Sequence, residues 1–328
     1  MLRELFRIPF TSLTVKGYGL MLVIGFLLAV HVIRRLSRNI TPDPQMITNV
    51  SLYSLVAGVV GARVFYILHH FDNFKYNLVS VFAIWEGGLE LLGGVLAAIA
   101  VIILYLRYHK LPARQYLDIL AIGLMLALSF GRMGCFLNGC CFGKPADVPW
   151  AVRFPYGSFA YTSQAEPNPS RNRPSPQLQL PDDFFNSGIL KPYDQLTPQQ
   201  KEMVTTTGPY RCLAVHPTEL YSSADAAVIA GLLYLFWRRA RNAQKTENFL
   251  KPLTKPGGTS ALMFILYGCV RFFEEFLRDD NPLEYGRWII YKGGTISQNL
   301  SIYMVIFGVV MMLIFQKLPA DKQSSKTR

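Results

Sequence analysis

Between Gly131 and Gly143 the chain reads GRMGCFLNGCCFG, so one arginine, one asparagine, three cysteines and four glycines share thirteen residues. Glycines let backbone N–H groups approach a ligand, and a guanidinium among them suits a phosphate or similar anion. Asn138 adds a neutral donor and acceptor. A second group lies in LMFILYGCVRFFEEFLRDD, where Tyr267, Arg271, Glu275 and Arg278 recur at i, i+4, i+8 and i+11. A continuous helix would set all four on one face. That stripe reads either as an internal arginine–glutamate ladder or as the lining of a cavity in which Arg271 meets an anion and Glu275 orients it. One guanidinium can do both. Arg63, in GVVGARVFYIL behind Gly58 and Gly61, reads as a partner of backbone carbonyls or of a neighbouring acid, or as a ligand contact. The paired glycines of WEGGLELLGG (Trp85 to Gly94) permit irregular backbone beside a cavity, or a helix start packed tightly on a neighbour.

The elements that must position these groups follow from composition. Of 328 residues, 51% are hydrophobic and only 16% charged, fewer charges than a soluble surface carries. The apolar residues are bunched, as in YGLMLVIGFLLAVHVI (Tyr18–Ile33) and SIYMVIFGVVMMLIF (Ser301–Phe315). Such runs approach the roughly 20 residues that cross a bilayer core of about 30 Å. Spans at 18–33, 49–68, 87–106, 117–131, 219–237, 259–277 and 296–315 describe an all-α polytopic membrane protein with about seven transmembrane helices. The first run ends in Arg34–Arg35 instead of a small-residue cleavage site, so it reads as a retained helix. Ionisable groups inside such runs cost about 2.5–3.5 kcal/mol each, so each needs a partner or a task.

The formal net charge of +12 is distributed unevenly. Arg34, Arg35, Arg38, Arg107, Lys110, Arg114, Arg238, Arg239, Arg241, Lys245, Lys251 and Lys255 fall in alternate connections, with Lys317, Lys322, Lys326 and Arg328 in the tail. The positive-inside rule makes these cytoplasmic and sets the N-terminus outside and the C-terminus inside. The basic residues lack interleaved aromatic platforms, so anionic lipid, not nucleic acid, is the expected partner. The expected organisation is membrane helices over 1–131, a signature loop and loop-rich extracytoplasmic head over 132–217, further membrane helices over 218–316 and a solvated basic tail over 317–328. Within the head, 164–180 is rich in proline and polar residues and reads as a passive, mobile linker or as part of a packed unit, while PWAVRFPYG and PYRCLAVHPTELY are aromatic enough to pack.

GRMGCFLNGCCFG resembles the signature of the prolipoprotein diacylglyceryl transferase family, whose usual form is G-R-x-G-N-F-x-N-x-E-x-x-G. KGYGLMLVIGF, GARVFYI, WEGGLELLGG, HPTELY, YGCVRFFEEFLRDD and ISQNLSI are similar to further family segments, in the family's order. The resemblance implies a multi-pass enzyme of the bacterial inner membrane that moves the diacylglyceryl group of phosphatidylglycerol to the lipobox cysteine of a prolipoprotein, releasing glycerol phosphate. By position, Arg132 and Arg271 are implied to bind the lipid phosphate, and Tyr267 and Glu275 to belong to the catalytic set. Tyr18, Asn138, Gly143 and Arg278 match positions implied to bind substrate. The implied partners are phosphatidylglycerol, lipobox signal peptides and the bilayer. No metal or organic cofactor is expected.

The chain departs from the family at Leu92, where a histidine is usual, at Cys135, where asparagine is usual, and at Cys140, where glutamate is usual. His216 is the remaining candidate base on the outer side, against a structural role before Pro217 and against activation by the arginines alone. The alternative of another class is a lipid-binding or lipid-transport protein of the same fold that has lost catalysis. Cys135, Cys140, Cys141 and Cys212 all fall in the expected oxidising compartment, which favours a disulfide from the signature loop to Cys212. A transient nucleophilic role for Cys140 is the other reading. Zinc is not expected, because C-x4-C-C lacks the usual ligand spacing.

Overall fold

The computed structural model describes residues 4–7, 14–40, 43–74, 81, 88, 90–245, 255–283 and 290–318, and the structural statements here refer to these. Each long apolar run of the sequence is a helix: α1 Gly17–Ser37, α2 Gln45–His69, α3 Leu91–Tyr108, α4 Ala113–Asn138, α5 Thr218–Lys245, α6 Gly258–Glu274 and α7 Ile296–Lys317. Arg34 and Arg35 fall in the last turn of α1, where cations meet the unpaired carbonyls. Thr295 and Gln298 close a reciprocal capping box at the start of α7. Five of the seven, α1, α2, α4, α5 and α7, are long and apolar enough to cross a membrane. At 18 and 17 residues, α3 and α6 are shorter. Leu27, Val56, Leu104, Val228 and Leu313 stand on the outer helix surfaces, each more than half exposed. A water-soluble domain does not carry such a belt.

Helix α4 is the hub, packing against α1, α5 and α6, while α2 pairs with α3 and α6 with α7. Tyr116, Ile119, Ile122 and Met125 of α4 share a core with Ile33, Ile229, Leu233 and Met263. The start of α1 lies at the end of α4, since a methyl on Gly134 would meet the Tyr18 carbonyl at 3.2 Å. The α2–α3 seam is a glycine contact: a methyl on Gly94 would stand 2.8 Å from the Gly58 carbonyl. This is the close approach expected of Gly58 and Gly61. Asp118 of α4 caps α6 from outside, its carboxylate accepting from the N–H groups of Gly257 and Ser260, both at 2.8 Å.

The chain is not purely helical. Strands β1 (Glu4–Arg7) and β2 (Thr14–Lys16) pair antiparallel ahead of α1, and β3 (Phe185–Asn186) pairs with β4 (Ile189–Leu190). The segment between α4 and α5 has its own core of Phe142, Phe154, Tyr161, Phe184, Leu196 and Val215. Its proline-rich stretch belongs to that unit and is not a passive linker. The Gln164 carbonyl accepts from the N–H groups of Gln177 and Leu178, and its side chain accepts from Leu213 N–H at 2.8 Å. Two expectations fall partly outside the described residues: the Trp85–Gly87 start of the third glycine motif and the tail from 319 onward.

Candidate active site

Helix α4 runs through the signature to Asn138, seven residues beyond the expected end of the span, so Arg132 is a helical residue two turns from the C-terminus. Gly139 stops the helix in a left-handed conformation (φ 70°), and its N–H returns to the carbonyls of Cys135 and Phe136. The loop that follows is tied to two distant segments. Gly143 pairs with Arg278, and Lys144 N–H donates to the Leu277 carbonyl at 2.7 Å. On the other side Gly143 N–H donates to His216 O at 3.1 Å, and Thr218 Oγ1 donates to Cys141 O at 2.8 Å. A side chain on Gly143 would meet Thr218 Cγ2 at 2.9 Å, so a glycine is required there.

The α6 stripe breaks where the helix does. Tyr267 and Arg271 lie on α6, but the α-helix ends at Glu274 and a single 3₁₀ turn follows over Glu275–Leu277. Arg278 therefore leaves the helix in extended backbone, so the expectation that all four residues share one continuous helical face does not hold. It gains its place through the Gly143 pairing instead. Arg271 Nη2 meets Glu275 Oε2 at 2.6 Å and donates to Ser297 Oγ at 3.0 Å, so α7 also holds it. Arg278 grips Asp280 through two contacts, Nε–Oδ1 at 2.9 Å and Nη2–Oδ2 at 2.6 Å. Burial works against its charge, but Asp280 and the Cys141 thiol raise its pKa above the ordinary arginine value.

Glu274 joins the groups that distant sequence supplies. It is buried, lies 3.9 Å from Arg271 Nη1 and accepts from Ser222 Oγ of α5. Arg271, Arg132 and Arg278 all act on this carboxylate electrostatically. Arg132 is half-buried and interacts in the same way with Tyr267, Arg278, Cys141 and Cys135. Tyr18, at the exposed start of α1, feels Arg132 and all three signature thiols. Asn138 Nδ2 lies 3.6 Å from Cys140 Sγ. The two arginines, Tyr18, Tyr267, Asn138, Gly143, Glu275 and Arg278 thus occupy one region at the end of α4.

The other expected groups have partners of their own. His216 Nδ1 faces the Tyr221 hydroxyl at 3.3 Å, and that hydroxyl also accepts from Trp150 Nε1 at 2.6 Å. Its backbone ties the signature loop, which fits the structural role. Arg63 donates to the carbonyls of Val81 (2.9 Å) and Gly88 (3.0 Å), again the structural alternative. Leu92 is 57% exposed on α3, with no chemistry to offer. All five cysteines are free, so the expected bridge to Cys212 is not formed. Cys212 sits in the head core, where its thiol donates to Gln164 Oε1 at 3.3 Å and burial pushes its pKa up to about 11. The thiol of Cys141 is pulled below its ordinary range, first by hydrogen bonds with Cys135 and Cys140, then by Arg278 and Arg132.

Four charged residues at the site were not singled out from sequence. Glu274 was hidden beside Glu275. Arg171 and Arg173 come from the proline-rich head: Arg173 Nη1 meets Asp279 Oδ2 at 3.0 Å and Arg171 Nη2 reaches Glu275 Oε1 at 4.0 Å. Glu219, in HPTELY, is fully buried, and its carboxylate oxygens have no side-chain hydrogen-bond partner among the described residues. It interacts electrostatically with Cys141, Arg278 and Asp280. Chemically, the arrangement gathers three guanidiniums next to thiols at one end of the bundle, two of them paired with carboxylates, and a guanidinium so held can still serve a phosphate oxygen as a second acceptor.

Comparison with known proteins points the same way. Residues 3–314 match the family model described as prolipoprotein diacylglyceryl transferase. A protein of Stenotrophomonas maltophilia named phosphatidylglycerol--prolipoprotein diacylglyceryl transferase is 29% identical over 93% of this chain and 89% of its own length. Proteins of the same name from Chloroflexus aggregans (29% identical; 94% of this chain, 87% of that protein) and Rhodopirellula baltica (24% identical; 92% of this chain, 73% of that protein) are also similar. With the ordered motifs and the cluster they build, the match over nearly the whole length means that the chain belongs to the prolipoprotein diacylglyceryl transferase family.

Proposed function

We propose that this protein transfers the diacylglyceryl group of phosphatidylglycerol to the lipobox cysteine thiol of prolipoproteins, forming a thioether and releasing glycerol phosphate, the first step of lipoprotein maturation. The observation that carries this reading is the gathering of Arg132, Arg271 and Arg278 about Glu274 at the end of an apolar bundle. Displacing a phosphate ester from a glycerol carbon puts charge on the departing phosphate. Guanidiniums already in place stabilise that charge without reorganising. Arg132 and Arg271 are read as the phosphate-binding pair, with Tyr267 and Glu275 orienting them. Tyr18, Asn138, Gly143 and Arg278 shape the place where substrate lies.

In this reading all seven long helices are membrane spans of the bacterial inner membrane, the 139–217 unit is an extracytoplasmic head, and the C-terminus is cytoplasmic. The apolar surfaces between helices let a two-tailed lipid enter sideways, and the prolipoprotein arrives through its membrane-embedded signal peptide. The test uses purified protein, phosphatidylglycerol vesicles and a synthetic lipobox peptide. Mass spectrometry should find the diacylglyceryl thioether together with free glycerol phosphate. Lipid binding without either product would instead identify a non-catalytic lipid-binding protein of the same fold.

A further inference from the structure

The three signature thiols are left over once the arginines have been assigned. The Sγ atoms of Cys135, Cys140 and Cys141 lie within 4.8 Å of one another, and all three are free and half-buried. C-x4-C-C spacing argues against a shared site on an unbroken helix or strand, but the local backbone removes the objection. Gly139 at φ 70° and Cys141 at φ 68° are left-handed on either side of Cys140, the second uncommon for a residue with a side chain. They fold Cys140 back over the last helical turn, where its N–H donates to Cys135 O at 3.2 Å and its thiol donates to the same carbonyl at 3.7 Å. Sulfurs on one tetrahedral zinc, at Zn–S of about 2.3 Å, stand about 3.8 Å apart, so the cluster needs to contract by no more than about 1 Å.

A buried carboxyl group lies beside the thiols, along with Arg132 and Arg278. Glu219 is sealed from solvent, its carboxylate oxygens have no side-chain partner among the described residues, and it interacts electrostatically with Cys141. A further cation held among the neighbouring thiols favours the ionised form of such a buried group. We propose that Cys135, Cys140 and Cys141 form a three-thiolate site for a soft divalent cation, Zn2+, whose fourth position receives the acceptor thiol. Three sulfur ligands select a zinc-like ion, and three protein ligands leave one position open.

The role at the fourth position rests on the transferase reading; the site itself does not. A thiol that coordinates the ion gives up its proton to solvent and becomes the nucleophilic thiolate. Its sulfur lone pair forms the S–C bond to the glycerol carbon while the C–O bond to phosphate breaks. That bonding pair leaves on the phosphate oxygen, beside Arg132 and Arg271. The product is a neutral thioether, a weaker ligand than the thiolate, so the position reopens. This supplies the deprotonation for which Leu92 has no group.

The test is cobalt substitution in the reduced full-length protein. One equivalent of Co2+ should give thiolate-to-cobalt charge-transfer absorption that Zn2+ bleaches. Cys140→Ser should weaken binding by more than the ~10-fold typical of losing a supporting group. Cys269→Ser, exposed on α6, should bind as the wild type does. A lipobox peptide should shift the cobalt spectrum, and its serine analogue should not. Absence of charge-transfer bands, bands unchanged in Cys140→Ser, or a disulfide within the trio in protein taken from membranes would overturn the site. Metal bound with no response to the peptide, or full turnover by metal-free protein, would overturn the thiol-activating role alone. Metal bound with the peptide response but no product from phosphatidylglycerol would leave the site standing and remove the transferase reading.

Discussion

Truncating Arg132 and truncating Arg271 should have different consequences, because the two guanidiniums are held differently. Arg271 is buried against Glu274 and Glu275, so Arg271→Ala breaks a buried ion pair and should cost about 3 kcal/mol of stability as well as turnover. Arg132 is half-buried and makes no such close pair among the described residues, so Arg132→Ala should abolish turnover with a melting temperature near the wild type. Thermal unfolding in detergent, run beside the peptide assay, separates the two effects. Cys212 offers a second check: its thiol, raised to about 11 and buried, is neutral at pH 8 and should resist iodoacetamide until the head unfolds. Mass mapping of alkylated cysteines reads this directly. The arginines were legible because a guanidinium in an apolar run is costly without a task. Glu274 and Glu219 were not, because a carboxylate at a helix end is ordinary until its burial is known. Arg171 and Arg173 were hidden by a proline-rich context that signals exposure, whereas folding of the head turns both toward the α6 end.

At the scale of elements, the long helices were written in hydrophobic runs, but their ends were not. The end of α4 depends on where Gly139 takes a left-handed turn, and that placed Arg132 inside the helix rather than beyond it. The end of α6 at Glu274 depends on the Gly143–Arg278 pairing, which connects residues far apart in the chain. Periodicity carries no information about either contact. Two helix contacts can be probed. Asp118 binds the free N–H groups of Gly257 and Ser260, so Asp118→Ala should lower stability by about 1–3 kcal/mol through loss of that cap. Gly94→Ala drives a methyl toward the Gly58 carbonyl and should destabilise the α2–α3 pair by about 1–3 kcal/mol. Both are read as shifts in detergent melting curves, and an unchanged curve would contradict the packing described.

For the molecule as a whole, two ends of the bundle carry different charge chemistry. Arg35, Arg38, Arg238 and Arg241 line a cavity of about 470 Å³ with Tyr234 and Trp237 at the C-terminal ends of α1 and α5. The signature loop and the arginine cluster lie at the other end, where α1 and α5 begin. That separation agrees with the positive-inside reading, in which the basic end meets cytoplasmic-leaflet lipid. In intact cells a membrane-impermeant maleimide should therefore label Gln199→Cys in the head, and should label Arg239→Cys only after permeabilisation. The reverse pattern would invert the topology. The central claim is narrower: guanidiniums from α4 and α6 hold a single lipid phosphate. A structure of the protein in phosphatidylglycerol nanodiscs measures it. The phosphate should lie within hydrogen-bond reach of both Arg132 and Arg271; a headgroup held by one arginine alone, or the two facing separate cavities, would contradict the account.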